Sequence, residues 1–270
     1  MSGPSATWLY ALVPATGTGV PADLRGVAGE SVRAVEETGL RAVVGTVPLG
    51  DFGEEELHTH LEDLAWLETA VRAHHTVIET LARGGPVVPL RFATMYHDDT
   101  RVASLLAERR ADFEATLERV AGRTEWGIKA YADAHALAHG GTGDPANDAG
   151  GRGRPGTAYL LQRREQRRAQ ETAHLRASEQ AAAIDAVLAG LADSTAEHPP
   201  QDAQLAEYEG WMVLNNSYLV PESRTAEFAA AVASLDDRFP DIRLEFNGPW
   251  PPYSFTAPDG DHDAGGGPGG

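Results

Sequence analysis

ATWLYALV, residues Ala6–Val13, is apolar on both of its alternating faces, with Trp8, Tyr10 and Leu12 on one side and Leu9, Ala11 and Val13 on the other. A strand with no polar face belongs in the middle of a sheet, so this run predicts a central strand. The rest of the first half arranges itself around it. Val32–Glu36 and Leu40–Val47 flank Glu37, Thr38 and Gly39, where the glycine supplies the positive φ of a tight reversal, and the two runs predict a hairpin.

From Glu54 to Arg83 the residues Leu57, Leu61, Leu64, Leu67, Val71, Ile78 and Leu81 recur at helical spacing, which predicts one amphipathic helix with these side chains on its buried stripe. Glu54, Glu55 and Glu56 favour the positive end of its dipole, and Gly84 and Gly85 stop it. Pro86–Leu90 is a further strand, confined by its prolines to an edge or a brief pairing. Asp98–Val120 is a second amphipathic helix. The order is βββαβα, assigned to residues 1–122 as a modified ferredoxin-like domain.

Residues 123–258 form a second α+β domain. Glu125–Tyr131 alternates as a strand, and Thr157–Ala192 predicts a helix of about 54 Å. Leu205–Leu214 and Ser217–Val220 are strands turning at Asn215 and Asn216, Glu222–Phe239 is a helix, and Asp241–Phe246 is a last strand with Ile242, Leu244 and Phe246 inward. That order, βαββαβ, is the ferredoxin-like pattern. A glycine-rich insertion at 140–156 and a tail at 259–270 cannot bury enough apolar area to order themselves.

Composition removes whole classes of chemistry. The chain has no cysteine, which excludes disulfides, thiolate metal sites and cysteine nucleophiles. Its formal charge of −18 would repel nucleic acid and anionic lipid, so partners should be proteins. No apolar run approaches the length of a membrane-spanning helix, and the start MSGPSATW lacks the features of a leader. A soluble, unexported protein is expected.

Several blocks, taken in order, carry a resemblance: WLYALV, GLRAVVGTVP, AHHTVIETL with VVPLRFAT, EWGIKAY, GTAYLLQRR, LNNSYLVP and GPWPPYSF, spread over residues 7–255. Together they are similar to the GvpL/GvpF family of gas vesicle proteins. The resemblance implies a minor, non-catalytic structural or assembly protein in the cytoplasm and on gas vesicles. By that resemblance it contacts the small hydrophobic shell subunit (GvpA-type), with other accessory proteins as further partners, and assists nucleation. This chain departs from the family at Ala93, where glycine is usual, and in the length of its insertion.

The motifs that look chemical have plainer readings. Gly17, Gly19 and Ala22 spell GxGxxA, but Pro21 interrupts them and a hairpin follows instead of a helix, so no dinucleotide cofactor is expected. His58 and His60 lie about 200° apart on a helix and cannot share a metal. His74, on the apolar stripe, suits a hydrogen-bonded histidine at the core margin, and His97, Asp98 and Asp99 suit a helix start. With no nucleophile and base pairing legible, no enzyme activity is expected.

Candidate partner contacts are Arg91 and Phe92 in RFAT, Arg163 and Arg164 in the basic run of the long helix, which reads first as a solvated helical face and otherwise as the one basic patch for an acidic partner, and Trp250, Tyr253 and Phe255 in GPWPPYSF. The prolines of GPWPPYSF predict a stiff arm that leaves the sheet, its aromatics either bracing the core or facing a partner. Arg91 either ties down a neighbouring loop or helix end or meets that partner. A different class of function, a small-molecule-binding or regulatory module between ferredoxin-like domains, stays open and would show as a compact apolar pocket ringed by polar groups.

Overall fold

The structure, a computed structural model, describes residues 3–133, 155–200 and 210–256. The tail at 259–270 and all but the last two residues of the expected 140–156 insertion lie outside them. The protein is a mixed α+β fold with two antiparallel sheets. It divides into two compact units, Met1–Glu125 with the residues from Pro249 onward, and Trp126–Gly248. The closing arm, expected with the second domain, thus belongs with the first unit.

The first sheet contains β1 (Ser5–Pro14), β2 (Arg33–Glu37), β3 (Leu40–Pro48), β4 (Val88–Pro89) and β5 (Met95–Tyr96). Its order is β2-β3-β1-β4, with β5 also on β1, so β1 is central. Helices α1 (Leu49–Phe52), α2 (Glu54–Glu62) and α3 (Leu64–Ala82) cover one face, where Trp8, Tyr10, Val43, Phe52, Val77 and Ile78 pack. On the other face α4 (Asp99–Glu108) and α5 (Arg110–Val120) bury Val102, Leu106, Phe113 and Leu117 against Leu9, Leu12 and Val44.

Strict alternation in β1 fails at one residue. Leu9 faces Val44 and Ala11 faces Val43, so Tyr10 is the extra residue of a β-bulge. Beyond it the faces exchange: Leu12 joins Leu9, whereas Ala11 and Val13 join Trp8 and Tyr10. The hairpin closes as expected. Glu37 pairs with Leu40, leaving Thr38 (φ 50°) and Gly39 (φ 85°) as a two-residue loop with two positive φ angles, the geometry that matches strand twist.

The helix expected over 54–83 is broken at Asp63, whose backbone is extended and whose carboxylate accepts from the amides of Ala65 and Trp66. It is the N-cap of α3. The break corrects the predicted stripe: Leu57, Ile78 and Leu81 are buried with Ala70, His74 and Val77, but Leu61, Leu64 and Val71 are 38%, 79% and 42% exposed. The second expected helix likewise divides at Arg109. At its start Asp98 caps Arg101, and Asp99 makes a two-pronged ion pair with Arg33 of β2.

The second sheet is β6 (Arg123–Ala132), β7 (Ser194–Glu197), β8 (Trp211–Pro221) and β9 (Ile242–Trp250) in the order β7-β8-β6-β9. With α6 (Pro155–Ala189) and α7 (Thr225–Arg238) it encloses Ile128, Ala177, Ile184, Leu188, Tyr218, Phe228 and Val232. The order βαββαβ is reached with different strands from those expected. Asn215 and Asn216 do not turn. They lie inside β8, where the Asn216 side-chain amide and the Tyr218 hydroxyl both donate to Asp185 of α6, at 2.9 and 2.7 Å. The strand that precedes β8 and pairs with it is instead the short β7, with β6 on its other side.

A further correction concerns β9, which runs through Gly248 and Pro249 to Trp250 instead of ending at Phe246. It is the last strand of its sheet, and an edge strand is where a proline without an N–H is tolerated.

Candidate functional site

The RFAT turn and the closing arm both belong to the first unit. Trp8, fully buried in β1, donates its indole N–H to Nδ1 of His74 at 3.1 Å. Nε2 of His74 therefore carries the proton and donates to the Leu90 carbonyl at 3.1 Å. Burial lowers the His74 pKa to about 4, so the ring is neutral at physiological pH and serves as a strut between β1 and the segment after β4.

Phe92 stands edge-on to both rings, 5.1 Å from Trp8 and 5.6 Å from His74. It braces this cluster. The turn beyond it is held by Thr94, whose hydroxyl and amide donate to the Arg91 carbonyl at 2.7 and 3.2 Å. Ala93 adopts a left-handed φ of 65° there, the backbone geometry that glycine would take without strain. With Phe92 fixed inward, Arg91 is exposed, and its guanidinium has no hydrogen-bond or ion-pair partner among the described residues. The loop is tied through the Arg91 carbonyl and not, as the sequence suggested, through its side chain.

The arm divides its aromatics between two environments. Pro251, Pro252 and Phe255 are buried, while Trp250 and Tyr253 are 41% and 36% exposed. Ser254 donates its amide and hydroxyl to the buried Glu125 carboxylate at 2.9 and 2.6 Å, which latches the arm. The Tyr253 hydroxyl lies 3.1 Å from Nδ1 of His75 on α3, and its ring stacks on that imidazole at 5.9 Å. Burial, with Glu79 and Glu125 adding their charge, raises the Tyr253 pKa, so the phenol stays protonated. The Trp250 ring is 5.5 Å from His75.

His75 lies one turn after the exposed Val71, so Trp250 extends the apolar band that Leu64 and Val71 begin on α3. Arg163 and Arg164 are on α6, both exposed. Neither has an ion-pair partner among the described residues.

One buried polar centre escaped the sequence reading. The Tyr10 hydroxyl donates to Glu30 at 2.5 Å and accepts from the Val27 amide at 2.9 Å, and a Cβ on Gly26 or Gly45 would overlap the Glu30 carboxylate. A glycine inside β3 was the available signal. Among the described residues no group of three or more acidic or histidine side chains could hold a metal, and no helix is long and apolar enough to cross a membrane.

These features define a class: a two-unit α+β protein whose distinguishing surfaces are an aromatic arm and an exposed apolar band. The model of the gas vesicle synthesis protein GvpL/GvpF family matches residues 6–257. The chain is 38% identical to gas vesicle protein L of Streptomyces sp. (strain CB03234), over 95% of this chain and 94% of that one. It is 29% identical to gas vesicle protein F of the same strain, over 93% and 99%. The crystal structure of GvpF from Anabaena sp. PCC7120 superposes with a TM-score of 0.65 at 20% identity, over 94% and 96% of the two chains. The chain belongs to the GvpL/GvpF family.

Proposed function

We propose that this protein is a non-catalytic structural or assembly component of gas vesicles that binds the small hydrophobic shell subunit (GvpA-type) and assists vesicle nucleation. It acts in the cytoplasm and at the vesicle. The observation that supports this reading is the exposed Leu64 and Val71 of α3, with Trp250 against His75 one turn further on, because large exposed apolar side chains along one helix suit an apolar partner. The charge of −18 suits a protein that must stay soluble while it holds an aggregation-prone client. In the same reading the second unit is ferredoxin-like, which the sheet order β7-β8-β6-β9 supports, and the first unit is a modified form of it.

The test is co-purification of the intact protein with the shell subunit at physiological salt, together with its retention on isolated vesicles. Failure of both sinks the proposal.

A further inference from the structure

Beside the RFAT turn, within the first unit, lies an open cavity of about 290 Å³. Leu90, Leu105 and Phe113 form apolar wall, and Arg91, Tyr96 and Arg109 bring polar groups to it. An apolar concavity with a few convergent polar groups is the usual form of a ligand site, and this volume is near the lower end of the roughly 300–1,000 Å³ range. It suits a small ligand, or the end of a larger one.

The charges specify the ligand further. Arg109 is held in place, ion-paired with Asp112 at 3.2 Å and lying 5.4 Å over the Phe113 ring. Asp112, also in the lining, neutralises it. Arg91 has no such partner, nor does the Tyr96 hydroxyl, among the described residues. Two arginines against one aspartate leave a single positive charge in a chain whose net charge is −18. The turn that presents Arg91 is strained at Ala93, and Phe92 is fixed on the opposite side against Trp8 and His74. Backbone strain of this kind persists where the surrounding structure imposes it, and the turn it shapes places Arg91, exposed and without a side-chain partner among the described residues, in the lining of the cavity.

We infer that this cavity binds an apolar monocarboxylate, with the carboxylate on Arg91 and the hydrocarbon against Leu90, Leu105 and Phe113. The inference is independent of shell-subunit binding. Two sources share this chemistry: a free medium-chain carboxylic acid, and the terminal carboxylate of a polypeptide ending in apolar residues.

The test titrates the intact protein, by calorimetry and by amide shifts around Arg91 and Phe113, with octanoate, with octanol, and with a short peptide ending in Leu-Val as free acid or as amide. Binding of octanoate or of the free-acid peptide, at least tenfold tighter than the octanol or amide counterpart, supports the site, and the acid that binds identifies the source. Arg91→Met should weaken that binding by about tenfold or more, the worth of a charge-assisted hydrogen bond, and leave the Tm unchanged because Arg91 holds nothing in the fold. Arg163→Met should have no effect. Equal binding of acid and neutral counterpart, unchanged binding by Arg91→Met, or no shift from either acid at millimolar concentration would overturn the inference.

Discussion

His74 refuses a proton down to about pH 4 because the folded chain buries it between the Trp8 indole and the Leu90 carbonyl, whereas in the unfolded chain it titrates near 6.5. Between those two values the unfolded state binds a proton that the folded state does not. Stability therefore falls as pH drops from about 6.5 to about 4, and above about 6.5 this group contributes no pH dependence. The full loss is about 3 kcal/mol. Urea unfolding at pH 7.5, 6 and 5 measures it, and His74→Gln, which can still accept from Trp8 and donate to Leu90, should flatten that part of the profile. At Ala93 the left-handed φ of 65° costs roughly 1–2 kcal/mol and a glycine's extra chain entropy returns part of that. Ala93→Gly should accordingly raise unfolding free energy by about 0.5 kcal/mol, whereas Gly39→Ala in the hairpin should lower it by about 1 kcal/mol.

At the level of elements, the Asp63 cap decides where α3 begins. Asp63→Ala removes an acceptor from two amides and should cost about 1 kcal/mol, with faster amide exchange at Ala65 and Trp66 and none at the far end of the helix. The arm is latched in the same manner by one residue. Ser254→Ala takes a hydroxyl from the buried Glu125 carboxylate and should cost about 2 kcal/mol, visible as a lowered Tm and faster exchange at Tyr253 and Phe255. The turn at Thr38 and Gly39 was legible because a glycine between two strand-like runs has one common use. The break at Asp63 was not, because Leu61 and Leu64 keep helical spacing across it and periodicity does not register a cap inside a continuous pattern. Asn215 and Asn216 misled for the converse reason: residues that tolerate turns sit equally well in a strand when a side chain such as Asp185 satisfies one of them.

For the whole molecule, the division of apolar residues between core and surface separates stability from the proposed binding. Leu64→Glu replaces a side chain that is 79% exposed, so the Tm should move by no more than about 1 °C, while on the proposed function shell-subunit capture in the pull-down falls several-fold. An equal change at the buried Ile78 would instead unfold the first unit, since it places an unpaired charge in the core.

The amino-acid sequence by itself determined the central strand, the hairpin, the mixed α+β class, the absence of thiol chemistry and the family. Each of these depends on residue type and spacing along the chain, which survive without a third dimension. Only the tertiary structure decided which leucines of one apolar stripe lie inside, where β1 exchanges its faces at Tyr10, and that Pro249 stays within a strand. It also decided that Phe92 packs on Trp8 and His74 and that Phe255 is buried, while Arg91 and Trp250 are exposed and Tyr253 is half-exposed against His75. Those outcomes depend on what packs against each residue, and packing partners come from distant parts of the chain that no local period encodes.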